Sequence, residues 1–388
     1  MSSTSSPTPA SARTEGVAAM EEERWRHLLK HLREQDRAAG AREKFCPEVW
    51  RELAAAGLFG VLAPSARSHG LVEATTRLRE LGQASPDRGL TFSAVTQLAS
   101  TIFALQAFAG TELQERYLPA ALSGEAIGGH AITEAGAGSD VLSMSTTAAR
   151  RGDRYVLSGA KRFITNAPIA STLVVYAKTE SERRAESVSA LLVETGWPGV
   201  EVSAPMPTAG LRSSPIAEVR FDEVEVPEAN RVGHPGAGML IMDQVMKRET
   251  LLAFAANIGE MERSVQESVS YVNHRTQFGA PIGKNQLVAN RLVDSQIAIE
   301  LGAALLESVA ARIDGFCDVT IPVAAAKIFI SEAHAVCALD SIRIRGGNGY
   351  LTTEPYCADL LDAVPGAIYS GSNDVLRTKI ATIMGVKT

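Results

Sequence analysis

The hydrophobic pattern of this chain changes period twice, and that constrains its architecture more than any single motif. Over residues 20–127 the apolar positions recur at helical spacing, as at Trp25, Leu28, Leu29 and Leu32. Pro47 stands near the start of a second helix carrying Trp50, Leu53 and Leu58, with Gly57 and Gly60 marking its end. Residues 91–109 are nearly uncharged and too long for a strand, so they read as a buried helix. From 128 to 235 the pattern becomes short apolar or β-branched runs bounded by turn residues. Tyr155 and Leu157 alternate with polar residues before a Ser158-Gly159 turn. Leu173–Tyr176 and Val188–Val193 follow, and Val219, Phe221, Val224 and Val226 close the block before Pro227. From 236 to 388 helical spacing returns, with long segments near 239–272, 286–313 and 321–344, the last stopped by Gly346 and Gly347. The fold class is α+β: an N-terminal helical domain (20–127), a middle domain of short antiparallel strands (128–235) and a C-terminal helical domain (236–388). Residues 1–19, rich in Ser, Thr, Pro and Ala, read as a disordered tail without the apolar core of a secretory signal.

Composition narrows the function classes. A net charge of −6 gives no reason to expect nucleic-acid binding. No apolar run approaches the roughly 18 residues that would suggest a membrane span. Cys46, Cys317, Cys337 and Cys357 are scattered without metal spacing, and read as reduced, buried structural thiols of a cytoplasmic protein. His27 and His31 have i, i+4 spacing but lie among Arg and Lys, which argues for a solvated helix face rather than a metal site.

Four short segments carry chemistry. His130–Asp140 (HAITEAGAGSD) combines glycines, which let backbone approach a flat ligand, with short Thr and Ser donors. Arg162–Asn166 (RFITN), Arg275–Gly279 (RTQFG) and Gly346–Tyr350 (GGNGY) follow in order. Gly136-Ala-Gly138 lacks the strand–turn–helix frame of a dinucleotide fingerprint. In this order and spacing, the four segments resemble the acyl-CoA dehydrogenase family of flavoproteins from about residue 45 to 385.

That resemblance implies the acyl-CoA dehydrogenase fold, with a β-barrel-like middle domain and a C-terminal helical bundle, and FAD as cofactor. Thr133 would contact the pyrimidine end of the flavin. Ser139 would lie where the flavin and the pantetheine arm meet, Phe163 would pack on the ring, and the Thr165 hydroxyl would point toward N5. A donor there suits an atom that gains electron density on accepting hydride. Arg275, Phe278 and Gln286 would reach a neighbouring subunit's FAD, and Gly346 and Gly347 would let backbone approach its phosphates. Arg343 stands where glutamine is usual. Ser372 and Asp374 fall on further cofactor positions. Such sharing implies a homo-oligomer, a tetramer by analogy.

The base is displaced. The family's usual Ile-Tyr-Glu-Gly-Thr reads Ile368-Tyr369-Ser370-Gly371-Ser372 here. Serine cannot take an α-proton, although its backbone N–H can still hold a thioester carbonyl. A subset including isovaleryl-CoA dehydrogenases carries the glutamate 26 residues before the arginine of Arg-x-x-Phe-Gly. Counting back 26 from Arg275 gives Glu249. His130, where the family often has Tyr or Phe, would lie near the substrate, as would Ser139.

Phe163–Ala170, Ser187–Ala190, Ser370–Asp374 and Thr250 after Glu249 look most like the dehydrogenases that oxidise prolyl groups on carrier proteins in natural-product biosynthesis. The partner is then an acyl thioester on a carrier protein or CoA, with electron-transfer flavoprotein or oxygen as electron acceptor. A short or branched acyl-CoA substrate stays open, as does a flavin monooxygenase or a non-catalytic flavin-binding protein of the same fold.

Overall fold

The structure is a computed structural model and describes residues 9–35, 43–62, 70–179, 187–315 and 317–387. The apolar repeat at Trp25, Leu28, Leu29 and Leu32 is the buried face of helix α1 (Pro9–Glu34). The helix begins inside the stretch read as a disordered tail, which is thereby corrected from Pro9 onward; residues 1–8 lie outside the described residues. Pro47 opens α2 (Pro47–Ala55), and Gly57 ends it at φ +79°. Helix α3 (Leu71–Ala84) follows. The expected buried helix runs as α4 (Arg88–Thr96), a π-helical stretch (Gln97–Phe103) and α5 (Ala104–Phe108). Helix α6 (Thr111–Leu122) leads into the sheet.

The middle region holds β1 (Gly128–Ala131), β2 (Thr147–Arg151), β3 (Arg154–Thr165), β4 (Thr172–Lys178), β5 (Val188–Glu194), β6 (Val200–Val202), β7 (Ile216–Pro227) and β8 (Arg231–Val232). They form one sheet in the order β6-β7-β3-β2-β4-β5-β8, with β1 also on β4. Two expectations are corrected. The sheet is mixed, because β1 and β2 both run parallel to β4. Ser158-Gly159 is no turn: β3 continues through it with a register shift, and Gly159 sits at φ +146°. A Cβ there would come 2.7 Å from the Thr146 backbone, so glycine serves a close strand approach.

The C-terminal region is α7 (Gly238–His274), α8 (Gln286–Asp314), α9 (Thr320–Arg345), α10 (Tyr356–Ala363) and α11 (Asn373–Ile383). The two helical regions, separated by the sheet in sequence, share one core in which Leu78 and Leu81 join Leu252, Ile258 and Ile330. One sheet face has a core of its own, including Leu157, Leu191 and Val219. The other packs Val174, Tyr176 and Leu192 against α5 and the start of α7.

Helices α3 and α7 cross at two glycines. A Cβ on Gly82 would lie 2.1 Å from the Ala256 carbonyl, and one on Gly259 would lie 1.9 Å from the Arg79 carbonyl. Below this crossing Arg88 is buried between Glu260 (3.4 Å) and Asp359 (3.3 Å), and donates to the Asp359 carbonyl at 2.8 Å. Burial opposes its charge, but the two carboxylates prevail and raise its pKa. Arg88–Phe108 and Thr320–Tyr350 are long and apolar enough to cross a membrane, but 78% and 50% of their apolar windows are buried inside the protein. All four cysteines are free; only Cys337 is buried and Cys317 is exposed, correcting the expectation of buried thiols.

The 133–146 segment is fixed to the sheet by one buried pair. Lys161 of β3 reaches Glu134 at 2.9 Å and the Ile132 carbonyl at 3.0 Å. Glu134 also accepts from the Ser145 amide and hydroxyl, both at 2.6 Å, and from the Thr146 amide at 2.9 Å. Burial pushes the Glu134 carboxyl up, but these donors and the ammonium bring it down from 4.5 to about 2.

Two outcomes are expected. Gly259→Ala should wedge α3 from α7 and cost about 1–3 kcal/mol, outweighing its helix-propensity gain of about 1 kcal/mol; denaturant unfolding of the holoprotein measures this. Because the Glu134 pKa is depressed, its stabilisation is present above about 4.5 and is lost as pH falls toward about 2. Glu134→Gln should therefore be less stable than the parent at pH 7, with the difference shrinking below pH 4.5 in unfolding measurements.

Candidate functional site

Glu249 lies in α7 with only 4% of its surface exposed. Two hydroxyls donate to its carboxylate, Ser100 at 3.0 Å and Ser370 at 2.6 Å, and His130 Nε2 lies 3.2 Å from the oxygen that Ser100 reaches. Each is delivered by a local irregularity. Ser100 lies on the π-helical stretch, a geometry common at functional sites. The same stretch supplies Gln97, which accepts from the Gly128 amide at 2.7 Å and donates to the Ala121 and Ala126 carbonyls. That clamp fixes the start of β1 and so places His130. Asn166, at φ +66°, secures the same point by donating to the Gly128 and Ser93 carbonyls. Ser370 holds φ +54°, a costly conformation for a side-chain-bearing residue. The preceding Tyr369 packs its ring on Phe92 and Phe254 at centroid distances of 4.6 and 5.7 Å. Tyr176 adds a buried hydroxyl without a hydrogen-bond partner among the described residues, and burial and the Glu249 charge keep it protonated.

The expected flavin contacts border this cluster in the sequence and are tied to one another. The Arg162 amide donates to the Thr133 carbonyl at 2.7 Å. Phe163, at φ +61°, leaves 54% of its surface exposed. Thr133 and Thr165 are half-buried and Ser139 is exposed. A Cβ on Gly136 or Gly138 would meet nothing within 4 Å. An apolar ring held outward, short hydroxyls and open glycine backbone fit one face and edge of an isoalloxazine.

The other expected cofactor residues stand elsewhere. Arg275 caps the far end of α7, and 25 residues of helix separate Glu249 from His274, about 38 Å at 1.5 Å per residue. Phe278 projects fully into solvent at φ +51°, and Gln286 is exposed at the start of α8. Gly346, at φ +59°, and Gly347 have open space where a side chain would begin. Arg343 pairs with Asp340 at 3.1 Å, which also binds Arg291 at 2.5 Å. Ser372 caps α11 by accepting from the Val375 amide at 3.3 Å, and Asp374 is exposed in its first turn. An exposed phenyl ring beside an arginine, with open glycine backbone on another element, fits a ligand shared with a second subunit.

Sequence reasoning missed Ser100, Tyr176, the Glu134–Lys161 pair and the Ser370 hydroxyl. A signal for Ser100 existed: Ser93, Gln97, Ser100 and Thr101 recur near helical spacing within an otherwise apolar stretch.

Family models agree with this geometry along nearly the whole chain. The N-terminal, middle and C-terminal domains of acyl-CoA dehydrogenase match residues 18–125, 129–224 and 236–385. An L-prolyl-[peptidyl-carrier protein] dehydrogenase from a Serratia strain is 33% identical over 88% of this chain and 89% of its own. The mitochondrial isovaleryl-CoA dehydrogenase of Pongo abelii is 32% identical over 91% of this chain and 84% of its own. The solved structure of PigA with FAD and proline superposes with a TM-score of 0.89 at 31% identity, covering 96% of this chain and 98% of that one. The chain belongs to the acyl-CoA dehydrogenase family.

Proposed function

We propose that this protein is an FAD-dependent dehydrogenase of a small acyl thioester, prolyl-like and tethered to a carrier protein, with Glu249 as its base. The observation that carries the reading is the buried Glu249 carboxylate, hydrogen-bonded to the side chain of Ser370, the residue whose backbone N–H suits a thioester carbonyl. FAD, held by Thr133, Ser139, Phe163 and Thr165, supplies the hydride acceptor. Glu249 takes the α-proton, and the Ser370 N–H stabilises negative charge as it grows on the carbonyl oxygen. Ser139 and His130 border the substrate. The similarity to a prolyl-carrier-protein dehydrogenase and to PigA with proline supports the prolyl reading. The reading includes a cytoplasmic setting.

A homo-oligomer, a tetramer by family analogy, completes the site. Leu287, Val293, Ile297 and Leu301 are exposed along α8, an apolar face suited to burial against another copy. Arg275, Phe278, Gln286, Arg343, Gly346, Gly347, Ser372 and Asp374 would then address the adenine side of the cofactor, in part across the subunit boundary.

Anaerobic addition of L-prolyl-carrier thioester should bleach the oxidised flavin band, and mass spectrometry should find loss of two or four hydrogens. Bleaching by isovaleryl-CoA alone would favour the acyl-CoA alternative. Oxygenation by reduced flavin without thioester-dependent bleaching would favour a monooxygenase. Glu249→Gln should retain FAD but slow flavin reduction by about 10²–10⁴-fold in stopped flow; a near-parental rate would place the base elsewhere. Arg275→Ala should lose FAD on dilution, together with the oligomer by light scattering; a fully flavinylated monomer would contradict the shared site.

A further inference from the structure

Glu249 is a base only through a lone pair that no donor occupies, and the geometry counts them. An ionised carboxylate offers about four acceptor positions, two on each oxygen. Oε2 accepts from the Ser100 hydroxyl at 3.0 Å, and His130 Nε2 stands 3.2 Å from the same oxygen. On Oε1 only the Ser370 hydroxyl is engaged, at 2.6 Å. We propose that His130 is the positioning residue of this base: with Ser100 it saturates Oε2, so the α-proton is taken by Oε1, on the Ser370 side where the thioester carbonyl is held. This rests on the reading of Glu249 as base, and adds which oxygen reacts and what fixes it.

The imidazole itself supports a polar role. Beside an ionised carboxylate Nε2 must carry the hydrogen, since the carboxylate has none to give. Nδ1 is then a buried lone pair, and it has no hydrogen-bond partner among the described residues. A ring kept only for packing would suffer that unsatisfied nitrogen with nothing to offset it. An Nε2–H turned to the Glu249 carboxylate 3.2 Å away offsets it. Two buried phenols feel the Glu249 charge, Tyr176 from β4 and Tyr369 beside Ser370, and burial keeps both protonated. Among the described residues, His130 is the one basic side chain within ion-pair distance of Glu249. His130 is held rigidly for this task, because β1 pairs with β4 at His130–Val174 and its first residue is clamped by Gln97 and Asn166.

The test compares His130→Phe, which keeps the ring volume and removes the donor, with His130→Gln, whose amide N–H replaces Nε2–H. Anaerobic stopped flow with L-prolyl-carrier thioester and with isovaleryl-CoA gives the flavin reduction rate and the thioester half-saturation separately. His130→Phe should slow reduction about 10–100-fold, with FAD content and half-saturation within about twofold of the parent. His130→Gln should recover most of the rate. A parental rate in His130→Phe, or no recovery in His130→Gln at full FAD content, overturns the proposal. A second readout needs no substrate: ¹⁵N NMR of histidine-labelled holoprotein, with the His130 signal identified by its loss in His130→Gln. That signal should show Nε2 protonated and Nδ1 bare, and should shift in Glu249→Gln. An unprotonated Nε2, or no response to Glu249→Gln, overturns the pairing. If neither thioester reduces the parent protein, the dehydrogenase reading fails, and the nitrogen signal still decides the pairing.

Discussion

The three regions of the chain meet at one buried carboxylate. Glu249 comes from the C-terminal bundle, Ser100 from the N-terminal helices, His130 from the first strand, and Ser370 from the segment before the last helix. A carboxylate so deeply buried is costly unless its acceptor positions are filled. Its donors must therefore be brought in by elements remote in sequence, and the packing that brings them in is the architecture itself. Fold and site share a constraint here: whatever displaces α7 from the N-terminal helices or from β1 strips donors from the carboxylate.

The placement of α7 has identifiable causes. Gly82 and Gly259 let α3 and α7 touch backbone to backbone, closer than any side chain would permit. Arg88 ties the start of α4 to α7 through Glu260 and to α10 through Asp359. Glu260 also receives His334 of α9 at 3.2 Å, so one buried carboxylate links three helices. Both interactions lie further along α7 than Glu249, so the buried carboxylate is not engaged by them. The Glu134–Lys161 pair performs the equivalent task for the 133–146 segment.

Much of this was legible in the sequence. The long helices announced themselves through apolar periodicity and glycine stops. The 26-residue register to Arg275 and the serine at 370 singled out Glu249, which is buried and bonded to Ser370. The failures have physical reasons. The polar stripe Ser93, Gln97, Ser100 and Thr101 lay inside a stretch read only as a buried helix, and which of its members meets Glu249 depends on the π-helical turn and on tertiary packing. Ser158-Gly159 has turn composition, yet Gly159 is used for close approach to Thr146 inside a strand. Parallel pairing of β1 with β4 depends on long-range contacts that strand composition does not encode. The helix from Pro9 runs through a segment whose Ser, Thr and Pro content argued against order. The Ser370 hydroxyl was invisible because its importance depends on Glu249 lying opposite, which is a tertiary fact.

With Glu249 as the proposed base, its place on α7 rather than at residue 370 has a structural consequence. With both functions in one segment, the proton acceptor and the backbone donor for the carbonyl would move together. Here they sit on separate elements, and the gap between them is set by packing. Tyr369 sets it: its ring is wedged between Phe92 of α4 and Phe254 of α7, and its hydroxyl lies 3.4 Å from the Asn257 amide. The Ser370–Glu249 hydrogen bond then closes the span from the other side. A serine suits this junction better than a longer residue would. It is small enough to sit at φ +54° directly opposite a carboxylate, and it has a hydroxyl to give. The serine that stands where the family's usual glutamate would be supplies the contact that registers Glu249, the proposed base.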